Sequence, residues 1–155
     1  MLAHEEPLSA AARPSRLSLL AQIVIPVLLF LSVISGALIW WGQSRQLEEL
    51  QTPGWLRACV VLHGTLNPFI CVLFGYLLSQ HIRMGWELKA NRPSGFILEA
   101  LLGGLIASGA GLYYAGSDEW RTIFVWGHRL LGVALPVGLL FHWVLARAWV
   151  KKLPK

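Results

Sequence analysis

Four apolar runs alternate with short polar segments along the chain, at 17–41, 55–81, 94–115 and 122–149. Each reaches the roughly 20 residues that a helix needs to cross the hydrocarbon of a bilayer. Inside lipid the backbone must satisfy its own polar groups, and helices are the natural solution. The pattern therefore predicts an all-α fold, a four-helix transmembrane bundle forming one domain over 17–150. Residues 1–16 are polar and mixed in charge, and read as a cytoplasmic tail that carries His4. Residues 151–155 read as a basic C-terminal tail. The first run is too long for a signal-peptide core and lacks a small-residue cleavage site, so it counts as a helix. Trp40 and Trp41 end it and Trp55 opens the second run, where indoles favour the headgroup region. The loops at 42–54, 82–93 and between the last two runs are too short to hold a soluble catalytic domain. No sequence repeat is read.

Composition agrees. Of 155 residues, 55% are hydrophobic and 14% charged, and the mean hydropathy is +0.57, which few soluble domains reach. The net charge of +5 matters less than its distribution. With the N-terminus inside, the inner segments hold nine basic residues and the outer ends hold four, Arg45, Arg57, Arg121 and Arg129. The positive-inside rule then places both termini in the cytoplasm. The basic excess reads as this orientation signal, not as a nucleic-acid surface. Cys59 and Cys71 are 12 residues apart. On one helix that is about 18 Å, too far for a disulfide. There is no C-x-x-C-H, so covalent haem attachment is excluded.

Within this apolar frame, four of the five histidines fall in two runs. His63 and His81 are 18 residues apart in the second, and His128 and His142 are 14 apart in the fourth. At about 100° per residue each pair shares a helix face, separated by about 27 Å and about 21 Å. Imidazoles inside a membrane are costly and usually functional. The two runs cross in the same direction. His63 follows Trp55 by eight residues and His128 follows Arg121 by seven, so these two lie at similar depth near the outer side. His81 and His142 lie toward the inner side. The expected pairs are His63–His128 and His81–His142, each holding one iron of a non-covalent haem b. The inner pair carries a mismatch of four residues, about 6 Å, to be absorbed by tilt and by kinks at Pro68 and Pro136. Two axial imidazoles leave no open position, so such a centre transfers electrons. Arg129 and Arg57 are candidate partners for haem propionates. Gly64, Gly75, Gly132 and Gly138 offer room for the rings. Glu99 is either a snorkelling group, with Arg92 as partner, or part of a proton or quinone site. One four-ligand zinc or copper centre is excluded by the spacings.

H-x13-H in the fourth run, with a histidine pair in the parallel second run, resembles the membrane di-haem cytochromes b. These include bacterial four-helix haem subunits that link dehydrogenases or hydrogenases to quinone. The haem helices of cytochrome bc complexes and ferric reductases are similar in pattern. The segment HIRMGWELKANRPSG, leading into a glycine-rich helix ending LYYAG, also looks like a bacterial family of small four-helix cytochromes b. The resemblance covers roughly 55–149. It implies axial ligation by His63, His81, His128 and His142, a bacterial inner-membrane location, and exchange with quinone and a redox partner subunit. The alternatives are a haem-free membrane scaffold subunit and a stand-alone quinol-dependent reductase.

Overall fold

The computed structural model describes residues 17–49, 52–87 and 91–150; the tails, with His4 and the terminal lysines, lie outside them. The described residues form four long helices: α1 (Leu19–Glu49), α2 (Gly54–Glu87), α3 (Arg92–Tyr114) and α4 (Asp118–Val150). All four are long and apolar enough to cross a membrane. Their outward faces are apolar too, with Phe30, Phe69, Val72, Leu130, Val137 and Phe141 all exposed. A lipid bilayer is the environment that such an exterior fits.

Local chemistry sets the helix ends. The Ala21 N–H donates to Ser18 Oγ at 3.2 Å, which caps α1. Pro53 immediately precedes α2, and a proline occupies the first turn of α3. Asp118 and Glu119 sit in the first turn of α4, where carboxylates favour the positive end of the helix dipole. Asn91, just before α3, takes a left-handed φ of 48°, a conformation that asparagine tolerates better than most side chains. Three ends differ from the hydropathy reading. Helix α1 runs on to Glu49, α2 runs on to Glu87 and α4 starts already at Asp118, through polar segments read as loops. Their Gln, Arg, Leu and Glu residues are good helix formers, so the helices continue beyond the apolar stretch.

The helices associate as two tight antiparallel hairpins, α1 with α2 and α3 with α4. The hairpins meet more loosely, α1 against α4 and α2 against α3. Helices α2 and α4, which carry the histidines, are therefore diagonal across the bundle. Glycines set the tight approach within hairpins. A methyl on Gly42 would lie 2.8 Å from the Trp55 ring, and one on Gly111 would lie 2.5 Å from the Phe124 ring. Halfway along, each helix contributes one residue to a buried layer of Leu29, Ile70, Leu102 and Leu135. Lipid gives no hydrophobic drive for helices to meet, so close packing of this kind holds them together.

Candidate functional site

The mid-bundle layer divides the interior in two, and a pair of imidazoles lies on either side of it. His63 and His128 face each other with ring centroids 6.0 Å apart and planes at 87°. His81 and His142 do the same at 6.3 Å and 76°. These are the two pairs that depth matching predicts. The residue excess in α2 is partly taken up by a π-helical turn over Leu78–Ile82, which contains His81. A π turn accommodates one more residue than an α turn, so it absorbs about 1.5 Å of the mismatch.

Serine hydroxyls lie against three of the four rings. Ser35 on α1 lies 3.0 Å from His63 Nδ1, Ser108 on α3 lies 2.9 Å from His128 Nδ1, and Ser94 on α3 lies 2.9 Å from His142 Nδ1. These serines are the buried polar residues among those described. Asn91 Nδ2 donates to the His142 carbonyl at 3.2 Å and lies 3.4 Å from His142 Nδ1. Among the described residues nothing hydrogen-bonds the His81 ring. Sequence reasoning missed the serines. Their signal was present, since each is followed by a glycine, but a small-residue pair in a membrane helix reads first as packing.

The remaining predicted residues are placed differently. Arg129 donates to Gln43 Oε1 at 2.7 Å and its guanidinium lies 5.2 Å from both the Trp40 and Trp126 ring centres. It is thus held at the α1–α4 seam, one residue from His128. Arg57 is exposed and lines a shallow surface groove with Gly54, Ala58, Val61, Leu62 and Thr65. The buried stripe of α2, with Leu56, Leu66, Ile70 and Leu73, is a different face. Glu99 is half-buried on α3, but Arg92 is not its partner. Arg92 instead donates to the Trp86 carbonyl and stacks on the Trp86 ring at 5.2 Å, because the turn before α3 brings it back over the end of α2. Gly138 and Gly132 do not line a ring slot. They pack on α3, with Leu98 and Leu101 at 3.1 Å from a methyl built on Gly138 and Leu105 at 4.0 Å from one on Gly132. The glycines beside imidazoles are Gly36, Gly95 and Gly109, on the neighbouring helices. A methyl built on Gly64 would lie 3.2 Å from the Tyr113 hydroxyl, and one built on Gly75 would meet no neighbouring helix within 4 Å. Cys59 and Cys71 are free thiols.

The donor set decides which metal chemistry fits. Among the described residues no group of three or more His, Cys, Asp or Glu side chains could hold a metal ion. Two imidazoles are too few for a structural zinc site, which takes four protein ligands. They suit a metal that brings its own equatorial donors, as haem iron does. Two metal–imidazole bonds of about 2 Å, with about 1.2 Å from each ligating nitrogen to its ring centre, span about 6.4 Å. The ring centres lie 6.0 and 6.3 Å apart. The chain matches no family model, no curated protein and no solved structure.

Proposed function

We propose that this protein is a membrane b-type di-haem electron carrier. The observation that supports it is the facing of two imidazole pairs, with ring centres 6.0 and 6.3 Å apart, stacked along one bundle axis. In this reading His63 and His128 would hold one haem, and His81 and His142 the other. Haem bound there would supply one-electron redox chemistry. The chain's own residues do the rest. The serines brace the imidazoles from α1 and α3. The Leu29–Ile70–Leu102–Leu135 layer keeps the two centres apart and dry. Arg129, anchored between Trp40 and Trp126, offers its guanidinium to a propionate at the end of the bundle nearer His128.

In this reading His81 and His142 lie toward the cytoplasmic side of a bacterial inner membrane with both termini in the cytoplasm, an orientation supported by the excess of basic residues in the inner segments. Electrons then pass between a redox partner and the quinone pool, and Glu99, half-buried on α3 between the levels of Ser94 and Ser108, is the candidate proton or quinone group. The test is a count of extractable haem in the purified full-length protein, with reduced-minus-oxidised visible spectra. Two haems per chain, falling to one in His128→Ala, are expected. A haem-free protein from cells well supplied with haem would leave the scaffold reading instead.

A further inference from the structure

The serines that meet histidines belong to a repeated unit. Ser35, Ser94 and Ser108 are each followed by glycine, and the other seven serines of the chain are not. The glycine is where the imidazole edge packs. A methyl built on Gly36 would lie 3.2 Å from His63 Cε1, one on Gly109 would lie 3.5 Å from His128 Cε1, and one on Gly95 would lie 3.9 Å from His142 Cε1. Ser94 and Ser108 are 14 residues apart on α3, matching the 14 between His128 and His142 on the antiparallel α4.

The unit also recurs between the hairpins. Ser35-Gly36-Ala37 is followed by Ile39-Trp40-Trp41, and Ser108-Gly109-Ala110 by Leu112-Tyr113-Tyr114. Past each turn, Trp55 precedes His63 by eight residues and Trp120 precedes His128 by eight. The two hairpins are thus versions of one plan, which corrects the expectation of no repeat. One serine has no counterpart: 14 residues before Ser35 stands Ala21, where the α3 copy has Ser94.

The carbonyl contacts favour one direction for the proton. A hydroxyl has one hydrogen to give. Ser35 Oγ lies 2.7 Å from the Leu31 carbonyl and Ser108 Oγ lies 3.2 Å from the Leu105 carbonyl. A carbonyl can only accept; with the serine proton given to it, the contact to the ring is an Nδ1–H donating to Oγ, and the Nε2 lone pair is left free. His142 differs, because its Nδ1 meets the donor-only Asn91 Nδ2 at 3.4 Å as well as Ser94 Oγ. We propose that Ser35 and Ser108 are positioning residues that hold His63 and His128 as Nδ1–H tautomers, with Nε2 available to a metal. The use of that lone pair for iron rests on the di-haem reading; the tautomer does not. Ligating histidines are commonly oriented through their second nitrogen in this way, which also raises their basicity. His81, opposite the copy that carries Ala21, lacks the device.

The experiment is nitrogen NMR of histidine rings in the full-length protein, 15N-labelled at histidine and purified haem-free in detergent, with signals assigned by single His→Gln variants. His63 and His128 are expected as single Nδ1–H tautomers and His81 as a mixture. Ser108→Ala returns His128 alone to a mixture, and Ser108→Thr, which keeps the hydroxyl, does not. Nε2–H tautomers or mixtures at His63 and His128 in the unsubstituted protein overturn the proposal, as does a His128 signal indifferent to Ser108→Ala. In haem-loaded protein Ser108→Ala raises the midpoint potential of one centre and leaves the other unchanged, because a less basic imidazole stabilises the oxidised metal less. Equal potentials in the Ala, Thr and unsubstituted proteins overturn the positioning role. Absence of haem from the unsubstituted protein fails the di-haem reading only, and the NMR result still decides the tautomer.

Discussion

The His63–His128 and His81–His142 pairs are built from the same two diagonal helices, yet they are held differently. In the first, both rings are braced, by Ser35 from α1 and Ser108 from α3. In the second, Ser94 braces His142, while His81 sits in a π turn with no hydrogen-bond partner among the described residues. The ring separations are nearly the same, 6.0 and 6.3 Å. Ring spacing and ring support are therefore separate properties of the bundle. Diagonal α2 and α4 set the first, and α1 and α3 set the second.

The largest expected effect removes one site and leaves the other. His63→Ala or His128→Ala abolishes one haem of two, and His81→Ala or His142→Ala abolishes the other; haem per chain is the readout. Loss of both centres from a single substitution would mean that the sites are not independent. Next, the site with one unbraced ring gives up its cofactor first. In a denaturing detergent titration the centre that His81→Ala removes is lost at lower detergent than the other. Simultaneous loss would remove the functional meaning of the missing serine.

A third comparison uses the glycines. In Gly36→Val the first side-chain carbon already stands 3.2 Å from His63 Cε1, so the ring must move and the His63–His128 site loses most of its haem. Gly95→Ala, with 3.9 Å available at His142, retains both centres. Fourth, Leu102→Ala opens the layer between the sites. Truncating a buried leucine costs about 2–5 kcal/mol in well-packed cores. Reversible unfolding in detergent is expected to lose stability within that range, with both centres affected alike. The smallest effect belongs to the exposed Arg83–Glu87 pair at 3.0 Å, beyond the π turn. Arg83→Gln changes stability by less than about 1 kcal/mol.

How much of this was legible in the sequence depends on which force shaped each feature. The four helices were, because lipid permits few alternatives to a long apolar helix. The facing of His63 and His128 was, because parallel helices that start at one interface carry equal residue counts to equal depth; His81 and His142, four residues out of step, face each other in spite of that count. The ends of α1 and α2 were not, since hydropathy marks where lipid stops and not where a helix does. Nor was the π turn: LSQHI carries no local signal, and the turn answers a tertiary need to bring His81 opposite His142. The serines were overlooked because their role depends on the neighbouring helix. Arg57 and Arg129 were assigned from proximity in sequence alone, and only Arg129 lies on a seam between helices.

The di-haem proposal requires two irons, each between two imidazoles. Low-temperature electron paramagnetic resonance of the oxidised full-length protein tests that most directly. Imidazole planes near 87° and 76° predict two low-spin ferric signals with a large principal g value and no high-spin signal. A high-spin ferric signal of one spin per haem, or no ferric signal from protein made with ample haem, would contradict it.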